Sequence, residues 1–102
     1  MSIEFHWNPA KARANALKHG VDFETASLVF DDPYALVEMD TSGASEERWR
    51  TLGLVDGVLL LLVVHTQFDE DDTEIVRIIS ARRTDPRERL RYEQARREAS
   101  GF

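Results

Sequence analysis

The feature that most constrains this chain is a pair of strand-like runs, residues 47–55 and 58–68, that meet at Asp56-Gly57. Asp-Gly between two such runs is the signature of a two-residue hairpin turn whose central residues both take positive φ. The second run is apolar throughout from Val58 to Val64, so it is expected to be buried on both faces and to lie centrally in a sheet. The turn also implies a register. With Val55 opposite Val58, Leu54 faces Leu59, Leu52 faces Leu61, Arg50 faces Val63, Trp49 faces Val64, Arg48 faces His65 and Glu47 faces Thr66. One face then carries Arg48, Arg50, Leu52 and Leu54 with Leu59, Leu61, Val63 and His65, and turns from apolar to cationic along its length. The other carries Trp49 and Val55 with Val58, Leu60, Leu62 and Val64, and is expected to receive helices.

Residues 74–83 alternate in period two, with Ile75, Arg77 and Ile79 on one side and Val76 and Ile78 on the other. Arg77 thus stands between two apolar neighbours. A guanidinium has no neutral form at working pH, so it must meet a carboxylate, water or an anionic ligand. This strand is expected to lie antiparallel beside the second hairpin strand. It leads into a final helix over residues 85–99, with Asp85 as N-cap, Pro86 at the first helical position and Glu88 reaching back as in a capping box. The apolar content of that helix is chiefly Leu90, Tyr92, Ala95 and Ala99. With so little to bury, it is expected to be loosely held or to dock on a partner.

Before the hairpin, Ile3, Phe5 and Trp7 alternate with polar residues as in a short half-buried strand. Asn8-Pro9 then opens a helix that runs through His19 and stops at Gly20, with Ala10, Ala14 and Leu17 as its expected apolar stripe and Lys11, Asn15 and Lys18 on another face. The helix dipole alone accounts for Lys18 and His19 at its end. A shorter helix follows Asp22, with Phe23, Ala26, Leu28, Val29 and Phe30 apolar, and ends at Asp31-Asp32-Pro33. Residues 34–40 read as a strand and residues 41–45 as a polar loop. The order is β-α-α-β-β-β-β-α, an α+β class in one domain spanning residues 1–102.

The net charge of −6 argues, as an average, against a nucleic-acid binder, but the charge is segregated. Beyond Glu74 there are eight arginines and four acids, a balance of +4, so the part up to Glu74 carries −10, much of it in Asp69-Glu70-Asp71-Asp72 with Glu74. A basic site kept soluble by an acidic remainder fits such a pattern, as does a plainly solvated helix. Cysteine is absent, which excludes disulfides and thiolate metal sites. The N-terminus lacks the pattern of a signal peptide, and the longest apolar run falls far short of the roughly 20 residues a membrane helix needs. The expectation is a soluble cytoplasmic protein with no membrane partner.

Several chemistries have no motif here: no glycine-rich phosphate loop, no G-x-S-x-G, no H-E-x-x-H, no His pair at ligand spacing, and hence no expected cofactor or metal. What remains can act on a phosphodiester. A metal-free ribonuclease needs a base for the 2′-hydroxyl proton, an acid for the leaving 5′-oxygen, and cations for the crowded phosphorus. His65, with Arg48 across the hairpin and Arg77 one strand over, offers such a set; a histidine hydrogen-bonded at a sheet rim beside solvated arginines is the plainer alternative. Glu47 is read first as an edge charge or salt-bridge partner rather than a base.

Taken together, Phe5-x-Trp7-Asn8-x-x-Lys11, Asn15-x-x-Lys18-His19-Gly20-Val21-x-Phe23-x-x-Ala26, Glu47-Arg48-Trp49 with Gly53, Val63-Val64-His65-Thr66, Arg77-Ile78-Ile79-Ser80-Ala81-Arg82 and Glu88-Arg89-x-x-Tyr92 resemble the BrnT toxin family. The resemblance implies a RelE-like fold, with two N-terminal helices on an antiparallel sheet and a C-terminal helix. It implies a ribonuclease toxin of a type II toxin–antitoxin pair, neutralised by a BrnA-type ribbon-helix-helix antitoxin that connects it to operator DNA. The chain departs from the family in its acidic residues 69–72, which would repel RNA if they lay beside the groove, and in Asn8, where Asp is frequent. The expected catalytic set is His65, Arg77, Arg82 and Arg48, with Arg77 and Arg82 on the scissile phosphate. Lys18, His19, Arg83 and Arg87 are expected to contact RNA, and Glu47 and Tyr92 to support the set from behind. The rival expectation is a non-catalytic module that binds an antitoxin and acts as co-repressor.

Overall fold

In the computed structural model, which describes residues 2–41, 43 and 46–101, the Asp56-Gly57 turn forms with φ of 52° and 70° at its two central residues. Around it the chain runs β1 (Ser2–His6), α1 (Pro9–His19), α2 (Phe23–Ser27) continued by a 3-10 turn (Leu28–Asp31), β2 (Leu36–Met39), β3 (Trp49–Val55), β4 (Leu59–Glu70), β5 (Thr73–Arg83) and α3 (Pro86–Ala99). The class is mixed α+β. Of the loop expected at 41–45, Ser42, Ala44 and Ser45 lie outside the described residues. No helix among those described is long and apolar enough to cross a membrane.

One five-stranded sheet has the order β1-β5-β4-β3-β2, so β4, apolar on both faces, is central as its composition requires. β1 pairs parallel to β5 while the other pairs are antiparallel, so the sheet is mixed rather than wholly antiparallel. Both N-terminal helices and three strands separate β1 from β5 along the chain, and no hairpin sets their relative direction.

The hairpin register differs from expectation by one residue. Val58 donates its N–H to the Val55 carbonyl but stays outside the ladder, 82% exposed, and Val55 pairs with Leu59. Trp49, not Arg48, therefore faces His65, and Arg50 faces Val64. A one-residue slip exchanges the faces of a strand. Leu61, Val63 and His65 turn toward α1 and α2, while Leu60, Leu62 and Val64 join Leu52 and Leu54 on the outer face near α3. Because β4 is apolar on both sides, its own pattern does not choose between the two registers.

The closed face packs Phe23, Ala26 and Val29 onto Val55, Leu61, Val63, Val76, Ile78 and Ala81. Gly53 lies here because Val29 crosses it: an added Cβ would sit 2.6 Å from Val29 Cβ and 2.8 Å from its carbonyl oxygen. The caps form as the residues dictate. Asn8 Oδ1 accepts from the N–H groups of Ala10 and Lys11, Gly20 ends α1 in the left-handed conformation, and Asp85 and Glu88 form a reciprocal capping box on α3.

The apolar stripe expected on α1 is not the buried one. Leu17 is 90% exposed, and the residue that faces inward is Asn15. Its amide donates to the carbonyls of Ala81 and Val21, at 2.9 and 3.0 Å, and its oxygen accepts from the Ala81 N–H at 3.1 Å. β1 has ended at the level of Arg77, so this amide occupies the edge of β5 that a sixth strand would otherwise pair.

Candidate functional site

β5 does not alternate all the way. Val64 pairs with Ser80 and His65 with Ile78, so Ile79 is an extra residue, a β-bulge. Before it, Val76 and Ile78 are buried and Arg77 faces outward; after it, Ala81 is buried and Ser80 and Arg82 face outward. The bulge thus places Arg77 and Arg82, five positions apart, on the same side of the sheet, which strict alternation forbids.

Three adjoining cavities surround the bulge, and all three are lined by Arg48 and Ile79. One adds Asn8, Lys11, Glu46 and Arg77. Another adds Lys11, Lys18, His19, Asn15 and Ser80. The third, about 270 Å³, adds Asp40, Arg50, Arg82, Leu62 and Val64. The result is a continuous cationic groove with Arg48 at its centre and α1 as one wall. Lys11 and Lys18, two helical turns apart, reach it because Asn15 between them pins that helix face to β5.

The cations of the groove differ in what they already hold. Arg77 is exposed. Arg48 meets Glu46 at 3.6 Å, a surface contact of small worth. Arg82 is a forked partner of Glu88, both terminal nitrogens lying 2.8 Å from the two carboxylate oxygens, and Arg50 adds a third contact at 3.0 Å. Glu88 is almost wholly buried. Burial pushes its carboxyl up, but hydrogen bonds from Arg82 and the Asp85 backbone, with the charges of Arg82 and Arg50, outweigh this and hold it below the usual carboxylate range. Arg82 is therefore tied into the fold in a way that Arg77 is not.

His65 lies elsewhere. It is fully buried on the closed face, where Nδ1–H donates to the Thr66 carbonyl, Nε2 accepts from the Thr51 hydroxyl at 2.7 Å, and the ring stands edge-on to Phe30 at 5.0 Å between centroids. Burial lowers its pKa, the Thr66 bond only partly opposing this. The neighbourhood of His65, Arg48 and Arg77 expected from the hairpin does not form, because the register slip turned His65 inward.

Arg83 and Arg87 are exposed, on the last residue of β5 and the first turn of α3, and neither lines the cavities around the bulge. Glu47 is exposed ahead of β3. Tyr92 is buried on the outer face among Leu52, Leu60 and Leu62, and its hydroxyl donates to Asp32 Oδ2. Burial and that carboxylate push its pKa up to about 12. It anchors α3 rather than the groove. Lys11 and Arg50 belong to the groove though they were absent from the expected set. Both were readable, Lys11 from its spacing to Lys18 and Arg50 from sharing a strand face with Arg48.

The acidic stretch forms the tip of the β4–β5 hairpin, with only Asp71 and Asp72 in the turn and Asp69 and Glu70 paired in β4. At about 3.3 Å per residue the tip lies roughly 16 Å beyond Arg77, twice the screening length of about 8 Å at physiological salt. No group of three or more His, Asp or Glu among the described residues is placed to hold a metal ion.

The chain matches the family model described as "Ribonuclease toxin, BrnT, of type II toxin-antitoxin system" over residues 7–88. Its fold is similar to that of the crystal structure of the Brucella abortus ribonuclease toxin BrnT, with a TM-score of 0.59 and 20% identity, covering 83% of this chain and 99% of that one. No curated protein matches the chain.

Proposed function

Because the chain belongs to the BrnT family of ribonuclease toxins of type II toxin–antitoxin systems, we propose that it arrests growth by cutting RNA, as a metal-independent endoribonuclease acting in the groove around the β5 bulge. The observation that carries this reading is the convergence of Lys11, Lys18, His19, Arg48 and Arg77 on one concave surface. These side chains supply the positive charge that phosphoryl transfer in a metal-free site requires. Arg77 and Arg48 hold the scissile phosphate and stabilise the charge that builds on its oxygens. His19, half-buried at the end of α1, is the imidazole of the groove and takes the proton-transfer role. Lys18 beside it orients the backbone, with Lys11 on the far side of the phosphate. Arg82 contributes field and packing, since Glu88 occupies both of its terminal nitrogens. Arg83 and Arg87 extend the positive surface and guide the strand.

The proposed neutralising partner is a BrnA-type ribbon-helix-helix antitoxin that carries the complex to operator DNA, and the proposed fold relationship is RelE-like. The compartment in which this takes place is the cytoplasm. Expression without the antitoxin tests the reading: RNA recovered in fragments, in chelator as well as without it, supports it, and intact RNA refutes it. The burial of His65 is the one observation that favours the rival, a non-catalytic antitoxin-binding co-repressor, and intact RNA with tight antitoxin binding is the outcome that rival requires.

A further inference from the structure

We propose that the cavity lined by Arg48, Arg50, Ser80 and Arg82 is a separate subsite for an RNA phosphate next to the one cleaved, with Glu88 as its positioning residue. This rests on the reading of the neighbouring groove as the place where RNA is cut.

Four observations support it. The Nε–H groups of both Arg48 and Arg50 are buried and meet no acceptor among the described residues. Buried donors are normally satisfied, and these two belong to arginines that line one cavity, so the fold leaves the same need open on both. Second, the charge of the lining is positive in balance: Arg48, Arg50 and Arg82 stand against Asp40 and Glu88. Third, Glu88 fixes both arginines from below. One of its oxygens accepts from Arg82 and from the Asp85 N–H, and the other from Arg82 and Arg50, so the start of α3 and two strands are tied through one carboxylate. Held this way, Arg50 stays at the wall of the cavity instead of sampling distant rotamers. Fourth, Arg48 and Ile79 line this cavity and the reaction groove alike, so a strand held by Arg77 and Arg48 continues into it. A phosphate there would meet the guanidinium groups of Arg48 and Arg50, a small turn of which brings their Nε–H groups to its oxygens, with the Ser80 hydroxyl within the same lining.

The test uses the full chain and a fluorescein-labelled hexadeoxynucleotide, which lacks the 2′-hydroxyl and is not cut, in anisotropy titrations across a salt series. Arg50→Gln is expected to raise Kd about tenfold and to make the slope of log K against log salt shallower by about 0.7, the value for one single-strand phosphate contact. Glu88→Gln removes a negative charge, so simple attraction demands tighter binding. A positioning role demands the reverse, a Kd about threefold higher with helix content unchanged. An unchanged salt slope in Arg50→Gln, or tighter binding in Glu88→Gln, overturns the subsite. Should Arg50→Gln fail to fold, Arg50→Lys keeps a cation on Glu88 but has no Nε–H, and wild-type affinity in that variant overturns it equally. RNA fragmentation by the unaltered chain is scored separately, so a subsite that fails leaves the proposed activity standing, and an inactive chain is recognised as such.

Discussion

The two faces of the sheet are built on opposite terms. Under α1 and α2, every position that meets the helices is apolar or internally satisfied, down to a histidine whose two ring nitrogens both have partners. On the outer face, Leu52, Leu60, Leu62 and Tyr92 make a smaller cluster, and beyond it the surface passes to Arg50, Arg82, Arg48 and Arg77. The closed face obtains its stability from burial, which is non-directional and strong. The open face is held by Glu88, the Tyr92–Asp32 hydrogen bond and the Arg91–Glu38 pair, and leaves Arg77 exposed. On the proposed reading the sheet's own contribution to the chemistry comes from the open face, with α1 adding Lys11, Lys18 and His19 from its edge, and substitutions can test that division.

The largest effect is expected for Arg77→Ala. Loss of a transition-state donor typically costs 100-fold or more in rate, about 3 kcal/mol, so growth arrest should disappear while the thermal midpoint stays within about 2 °C of the parent. A matching loss of stability would place Arg77 in the architecture and collapse the division. Arg82→Ala makes the contrast sharp, because it should lose both properties: a half-orphaned buried carboxylate is expected to cost about 2 kcal/mol in urea denaturation, on top of weakened cleavage. Stability equal to that of Arg77→Ala would show that the Glu88 pairing is only decorative.

On the closed face, Gly53→Ala should lower stability by about 2 kcal/mol, since the new methyl meets Val29 at 2.6 Å and the 3-10 turn must move. Cleavage per folded molecule should hardly change, and a selective loss of turnover would mean that the groove feels this face. The smallest effect concerns pH. The His65 pKa is depressed by burial, so the unfolded chain binds a proton that the fold refuses. The stability this residue contributes is complete above its ordinary value of about 6.5 and should decline as pH falls below it. Melts at pH 7.5 and 5.5 measure it, and His65→Gln should flatten the difference. The lowered carboxyls of Glu88 and Asp32 act further down, their contribution being lost only as pH falls below the usual carboxylate range.

Local chemistry was legible in the residues. The Asn8, Gly20 and Asp85–Glu88 caps and the Asp56-Gly57 turn each depend on a few neighbours along the chain, and the central place of β4 follows from its unbroken apolar run. What could not be read depends on contacts between distant segments. β4 offers equivalent faces, so the one-residue slip that buries His65 has no local signature. The bulge at Ile79 is likewise invisible in an alternating string of isoleucines. Asn15 looked like a solvent-facing polar residue, because nothing near it in sequence discloses the unpaired edge of β5 that it satisfies. The candidate site depends on the same contacts: Arg48, Arg77, Lys18 and His19 line adjoining cavities, whereas His65 follows the register to the closed face, away from them.

Parity along β5 is set by a single residue. Deleting Ile79 would remove little volume, yet it would exchange inside for outside in everything downstream: Arg82 would be driven under the helices, Ala81 would come to the surface, and Glu88 would lose its fork. One inserted residue therefore works as a phase shifter. The strand is in step with the core on both sides of Ile79, but by different counts, and the cationic surface occupies the place where the count changes.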